Sequence, residues 1–530
     1  MSKSNIGEVS EDVQHWADST AERVIAFWGS LPQYVCASGI TPSGVVHIGN
    51  FREIITVDLV ARALRDAGKK VRFIYSWDDY DTFRKIPKDM PQQEMLAKHL
   101  RMPIVDVPDP FECQHQSYAH HHETRVEESL STVGIQPEFI SQSKQYRASV
   151  YAEQMKQALQ ASAIIKKILD KYRKELLPNS WLPVTLFCPK CGRDTTQVTK
   201  YDGKYSLSYT CDCGNQDTID FRKSGIAKLL WRVDWPMRWN VEAVNFEPGG
   251  KDHSTVGGSF STAQEIVRQV WNREPPVYQP YDFISIKGRG GKISSSKGDV
   301  VDLQDVLEIY EPAIVRYLFA STRSHAEFAI SFDLDVLKIY EDFDKCERIY
   351  YGKEKVSAKE EKKQRRIYEL SCVTLPAKAM PFQPSFRHLT NVLLMHGLNT
   401  DKVLQYYVAE LHTAEDRERL RIRAQCAINW ITRYAPEDFR YTLNSEVPKD
   451  ISLTANERAA LKEIPALLKK KRTDAELHQE FYQLAKKHDV PPQEFFAAAY
   501  RVLISKERGP KLAAFLLDIK SEAVALFGKL

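Results

Sequence analysis

Two short stretches, far apart in the chain, carry residue types that handle phosphate. The first is Thr41-Pro42-Ser43-Gly44-Val45-Val46-His47-Ile48-Gly49-Asn50, and the second is Lys292-Ile293-Ser294-Ser295-Ser296-Lys297-Gly298. In the first, Pro42, Gly44 and Gly49 suit a tight bend that lets backbone approach a ligand, and His47 and Asn50 add side-chain donors. In the second, two lysines and three hydroxyls follow Gly288, Gly290 and Gly291. That composition suits a loop folding over phosphates as their charge develops. A third Gly-rich stretch, Gly249-Gly250-Lys251-Asp252-His253, has the same character. Each of them alone reads equally well as an ordinary solvated turn; three of them in one crevice point to a nucleotide.

Metal chemistry has its own residues. Cys188-Pro189-Lys190-Cys191-Gly192 and Cys211-Asp212-Cys213-Gly214 flank a Tyr-rich segment that reads as a hairpin. Paired cysteines at two turn tips make a zinc ribbon, with four thiolates and no open position, hence a structural metal. The second pair is C-x-C where C-x-x-C is usual. A denser cluster runs from Asp109 through Cys113 and His115 to His121, and these four could close tetrahedrally around a second zinc ion. Their spacing matches no standard ligand pattern, and a polar loop with solvated imidazoles reads the same way.

The elements that must position these groups follow from periodicity. Tyr34 to Ala37 reads as a buried strand, and Ile54, Val57, Ala61 and Leu64 mark a helix ended by Gly68. The first stretch is therefore a strand-to-helix turn, and a helix N-terminus favours an anion. Val71 to Ser76 follows as a second strand, giving a β-α-β unit of a parallel sheet. Trp77-Asp78-Asp79-Tyr80-Asp81 then falls at strand carboxyl ends, where ligand crevices of open parallel sheets lie. Residues 1 to about 30 read as a lead-in helix, and Ala148 to Leu177 as a helical stretch closed by Pro178. The parallel-sheet pattern resumes near Trp231 to Pro236. Val244 to Phe246 reads as a strand running into the Gly249–His253 turn, with a helix through Ala263, Ile266 and Val270 and a further strand at Phe283 to Ile286. From Val306 onward the pattern is helical, and the charged run Lys353 to Arg366 reads as a solvated helix face or a linker.

Composition bounds the rest. At 530 residues the chain exceeds one hydrophobic core, so two to four domains are expected. Lys plus Arg number 74 against 70 Asp plus Glu, a net charge of +4 that neither requires nor excludes a nucleic-acid partner. No apolar run is long enough to span a bilayer, and the N-terminus lacks a signal-peptide pattern. Nine cysteines, four of them tightly spaced, fit reduced thiols in the cytoplasm better than a secreted disulfide framework.

Taken together, the motifs resemble the class I aminoacyl-tRNA synthetases, and among them the class I lysyl-tRNA synthetases. Ser38 to Gly44 running into His47 to Asn50 is similar to that family's first ATP motif, and Lys292 to Ser296 to its second. Trp77 to Asp81, Trp231 to Pro236 and Gly250 to His253 are similar to its characteristic blocks. The specific likeness covers Tyr34 to about Arg323. Asn50 and Ser295 stand where class I enzymes at large have His and Lys, replacements common in the lysyl group. Gln114 separates Cys113 from His115, where relatives have adjacent Cys-His in a second zinc site.

The resemblance implies an α/β fold: a Rossmann-type parallel-sheet nucleotide-binding domain with a zinc-binding insertion, followed by an all-α C-terminal domain. Its expected divisions are two catalytic halves, 1–108 and 226–350, around an insertion, 109–225, with a helical anticodon-binding domain over 351–530. It implies a cytoplasmic lysine–tRNA ligase whose partners are L-lysine, ATP with Mg²⁺ and tRNA(Lys), with Zn²⁺ on the insertion. Catalysis falls to His47, Asn50 and Lys292, with Lys297 as a possible substitute for the missing lysine. ATP binding falls to His47, Gly49, Asn50, Gly250, Asp252, Lys292, Ser294 and Ser295. Lysine binding falls to Gly39, Thr41, Trp231, His253 and Tyr281, with Asp78, Asp81 and Asp234 as candidate partners of its ammonium. The alternatives are a glutamyl- or cysteinyl-type class I enzyme, or a non-catalytic zinc-ribbon RNA-binding protein.

Overall fold

The structure, a computed structural model, describes residues 14–88, 90–251, 253–255, 257–288 and 300–530. They form two compact units. The first takes the described residues of 1–306 with 315–330 and 355–376; the second takes 307–314, 331–354 and 377–530.

A five-stranded parallel sheet organises the first unit. Its strands are β1 (Tyr34–Ile40), β2 (Val71–Trp77), β3 (Glu138–Ser141), β9 (Phe246–Gly250) and β10 (Val277–Tyr281), in the order β10-β9-β1-β2-β3. β1 and β2 pair in register from Tyr34 opposite Val71 to Ile40 opposite Trp77. The chain leaves β1 in one direction for β2 and β3, then returns to its other side for β9 and β10. The order therefore reverses between β1 and β9, and a crevice opens there at the carboxyl ends.

Helix α1 (Trp16–Trp28) stops at Gly29, whose φ of 67° suits glycine. Helix α2 (Ile48–Asp66) joins β1 to β2 and is buried on most of its surface. It is pinned by polar residues as well. Buried Arg52 donates to the carbonyls of Phe283, Arg323, Ser324 and Ala326, and Asp58 pairs with fully buried Arg316 at 2.6 Å. The charged run expected as a solvated face or linker is the helix Ala358–Ser371. Its Arg366 clasps Asp18 of α1 at 2.6 Å.

Between β3 and β9 the chain builds the insertion. The helical stretch expected before Pro178 is two short helices, Ala152–Gln160 and Ser162–Asp170. Strand β4 (Val184–Leu186) pairs antiparallel with β8 (Ala227–Leu229). Between them β5 (Thr196–Tyr201), β6 (Ser206–Cys211) and β7 (Gln216–Asp220) form an antiparallel three-stranded sheet.

Two local expectations change. Trp231 to Pro236, read as sheet, begins the helix Trp231–Val241, with Pro236 in its interior, where the missing N–H gives up the helical bond to the Arg232 carbonyl. Gly249 and Gly250, read as a turn, end strand β9. A Cβ on Gly249 would collide with the Tyr278 ring of the neighbouring strand, so glycine is needed there for close approach. The short strand β11 (Ile284–Ile286) lies outside the main sheet and pairs with β12 (Phe328–Ile330).

The second unit is helical. Three of its helices start on full capping boxes, Thr413 with Asp416, Thr454 with Glu457 and Thr473 with Glu476. No helix among the described residues is long and apolar enough to cross a membrane.

Candidate active site

The β1–α2 turn is held by partners distant in sequence. His47 is the N-cap of α2 and forms an antiparallel bridge with Asp302, while the Ile48 N–H donates to Val301 O at 2.9 Å. Val301 and Asp302 are thus fastened to the start of α2. Asp252, Lys292, Ser294, Ser295 and Lys297 lie outside the described residues. Gly49 has a local reason to be glycine: a Cβ would stand 2.9 Å from the His47 ring.

Beside this turn a pocket opens at the switch point, lined by Gly39, Glu53, Trp231, Trp235, Glu247 and His253 among others. Gly39 permits the sheet to close there, since a Cβ would meet Ser76 O at 2.8 Å. Trp231 stacks on Trp235, with ring centres 5.4 Å apart, and His253 lies 5.7 Å from Trp231. The pocket brings together Gly39, Trp231, His253 and, through Glu53, Tyr281. Thr41 lines a second cleft alongside, which shares Trp231 and His253 with the pocket.

Glu53, absent from the sequence-based candidates, joins these parts. One of its oxygens accepts from Ser38 Oγ at 2.8 Å and from the Gly39 N–H at 3.4 Å; the other accepts from the Tyr281 hydroxyl at 2.6 Å. All of these donors are neutral, and no cation among the described residues lies within ion-pair distance of Glu53. Burial and the Glu53 carboxylate drive the Tyr281 phenol well above its ordinary value, so it remains a donor. Glu247 is a second acid of the same kind, bonded by the indoles of Trp235 at 2.9 Å and Trp239 at 2.5 Å. Burial pushes its carboxyl up to about 7.

The three expected acids are already paired. Asp78 meets Arg238 at 2.7 Å and Asp81 meets Lys228 at 2.8 Å. Asp234, with no exposed surface, lies 3.6 Å from Lys228 and 3.4 Å from Arg238 and also accepts from the Tyr146 hydroxyl. Asp78 therefore enters the pocket wall as half of an ion pair. Burial pushes its carboxyl up to about 6 despite Arg238.

On the insertion, Cys188, Cys191, Cys211 and Cys213 bring four sulfurs within 4.8 Å of one another. The turns behind them are closed by backbone bonds such as Gly192 N–H to Cys188 O at 2.7 Å and Gly214 N–H to Cys211 O at 2.9 Å. Asp109, Cys113, His115 and His121 also converge within 4.8 Å, despite the intervening Gln114. The Cys113 sulfur lies 2.7 Å from Asp109, 2.8 Å from His115 Nδ1 and 3.2 Å from His121 Nδ1, and His121 is braced by stacking on Phe111. Both donor sets have the number and closeness that a tetrahedral ion asks for.

The profile of the family described as tRNA synthetases class I (K) matches residues 14–374. Among curated proteins, the lysine–tRNA ligase of Borreliella burgdorferi is 51% identical over 508 residues, covering 95% of this chain and 96% of its own. That of Treponema pallidum is 48% identical, covering 97% and 98%, and that of Thermococcus kodakarensis 42% identical, covering 96% and 98%. A parallel sheet with its switch-point pocket and this extent of likeness lead to one assignment: the chain belongs to the class I (K) tRNA synthetases.

Proposed function

We propose that the chain is a lysine–tRNA ligase. The lysine carboxylate attacks the α-phosphate of ATP, giving lysyl-adenylate and releasing pyrophosphate. The 2′-hydroxyl of the terminal adenosine of tRNA(Lys) then attacks the activated carbonyl, and AMP leaves. The observation that carries this reading is Glu53: an acid in an aromatic-walled pocket, held by neutral donors, beside a helix N-terminus. An ammonium entering that pocket meets an uncompensated carboxylate. A glutamate side chain would meet Glu53 and Glu247 as like charges, which disfavours the glutamyl-type alternative.

Charge develops on phosphate oxygens in the first step, so positioned donors and cations do most of the work. His47 and Asn50 take that role at the start of α2, together with Lys292 and Lys297. Gly49 and Gly250 let ATP approach the backbone, Ser294 and Ser295 add donors, Asp252 takes the ribose, and Mg²⁺ accompanies the nucleotide. Gly39, Thr41, Trp231, His253 and Tyr281 bind lysine, and Asp78 acts through Arg238. Cys188, Cys191, Cys211 and Cys213, and Asp109, Cys113, His115 and His121, would hold structural Zn²⁺, which would brace the insertion. The catalytic halves are 1–108 and 226–350, the insertion is 109–225, and the helical 351–530 binds the anticodon.

The test is ATP–pyrophosphate exchange and aminoacylation with tRNA(Lys) present. Lysine-dependent exchange and lysyl-tRNA formation are expected. Exchange driven by another amino acid, or none with lysine, would sink the reading.

A further inference from the structure

The helix Tyr118–Thr132 grips the β1–α2 turn at two separated points. At its first residue, the fully buried Tyr118 donates its hydroxyl to Ser43 O at 3.0 Å. Two turns further on, Arg125 pairs with Asp302, the residue whose backbone forms the antiparallel bridge with His47. The helix is itself fixed to the main sheet, because the Trp77 indole at the end of β2 donates to Glu127 at 2.9 Å.

Asp302 has little freedom of its own. One of its oxygens accepts from Arg125, and the other accepts from the Asp305 N–H at 2.9 Å. Asp305 returns the favour, accepting from the Asp302 N–H at 2.9 Å, which makes a capping box at the start of the helix Leu303–Leu307. Asp302 is 4% exposed, so its charge depends on these donors. Val46, Phe51, Ile54, Val126, Leu130 and Leu303 line a small cavity beside the ion pair, and such apolar surroundings strengthen it. The Asp302 carboxylate is therefore held at both oxygens while its main chain lies against His47. A displacement of Arg125 passes through Asp302 to the start of α2.

The ligase reading puts ATP at that helix start. Donors there stabilise phosphate charge only if they stand in place before it develops. The lysine pocket is a separate cavity, and Arg125 lies outside its lining.

We propose that Arg125 is a positioning residue for the ATP site, an inference that rests on the ligase reading. By holding Asp302 against His47 it sets the start of α2 in its nucleotide-binding geometry. Arg125 acts through Asp302 and not on the nucleotide itself.

The test titrates ATP with Mg²⁺ and, separately, lysine onto the full-length protein, with thermal unfolding alongside. Arg125 keeps 44% of its side chain exposed and Asn remains a good helix cap, so Arg125→Ala and Asp302→Asn should both fold. Arg125→Ala should raise the ATP Kd by about fivefold or more and leave the lysine Kd unchanged. Asp302→Asn should raise the ATP Kd likewise, and the double variant should add little to either single change. Arg125→Lys, which keeps a cation, should recover part of the loss. The two single changes alter the local charge in opposite directions. A bare field effect, or a direct contact between Arg125 and phosphate, therefore predicts that Asp302→Asn binds ATP more tightly. Such tightening, an unchanged ATP Kd in Arg125→Ala, or an equal loss of lysine affinity overturns the proposal. If Asp302→Asn does not fold, Asp302→Ser, another uncharged cap, takes its place. A wild type that binds ATP but transfers no lysine to tRNA(Lys) sinks the ligase reading and leaves this binding comparison standing.

Discussion

Tyr281, the last residue of edge strand β10, donates its hydroxyl to Glu53 of α2 at 2.6 Å. Glu53 in turn takes Ser38 and Gly39 of β1, so one carboxylate ties an edge strand, a central strand and the helix that starts at His47. A substrate ammonium drawn to Glu53 would therefore bring its carboxylate into the region where α2 begins. Replacing Glu53 by Gln keeps the shape and removes the charge. Hydrogen bonds to charged groups contribute about 1.5–3 kcal/mol, so Glu53→Gln should lower kcat/KM for lysine by about tenfold to a hundredfold. Uncharged lysine analogues should lose much less. Equal losses for charged and neutral analogues would count against an electrostatic role.

The pH dependence of stability isolates Glu247. Its folded carboxyl titrates near 7 because it is buried, against 4.5 for an unburied glutamate. Between these values the folded chain keeps a proton that the unfolded chain has released. Stability is then fullest below 4.5 and falls as pH rises through 7, by up to about 1.4 kcal/mol per pH unit from this one group. Glu247→Gln cannot titrate, so its decline between pH 5 and pH 8 should be shallower than that of the wild type. Urea unfolding at the two pH values measures the difference.

Metal removal separates the two ligand clusters. Zinc released by thiol modification should amount to about two equivalents per chain if both sets are filled. A Cys113→Ser, His121→Ala variant should release about one and keep the ribbon folded. Wild-type release of one equivalent or fewer would leave the cluster at Asp109 without a metal.

The elements that frame this site were legible where they depend on local rules. The turn from Ile40 to Asn50 announces itself through its glycines and the switch from strand to helix periodicity, and the four-cysteine cluster through its paired spacing. What escaped reading depends on contacts made across the chain. Asp78 and Asp81 are acids suited to an ammonium, yet Arg238, 160 residues beyond Asp78, and Lys228 had already claimed them, while the pairing of Asp234 with Arg238 one helix turn on was hidden along with the helix itself. Glu53 is one glutamate in a long helix, and its only sequence signal is its place one turn beyond Gly49 and Asn50. The Trp231–Val241 helix was hidden by tryptophans and valines that favour strands and by Pro236, a residue that argues against a helix interior.

In the second unit a different arginine makes the same kind of long-range claim. Arg423 is fully buried and pairs with Asp344 at 2.7 Å, with Glu311, and with Pro384 O at 2.8 Å. Arg419 stands beside it, 2.8 Å from Glu347, so two cations and three acids share one interior. Desolvating these ions is costly, and the network persists only because every charge has a partner. Removing one partner leaves the acids uncompensated. Arg423→Ala should therefore destabilise this unit by about 3–5 kcal/mol, visible as an early transition in thermal unfolding. Arg423→Met with Asp344→Leu and Glu311→Gln removes the charges together and should recover much of that loss. A single variant that unfolds with the wild-type midpoint would mean the network adds nothing that packing does not already supply.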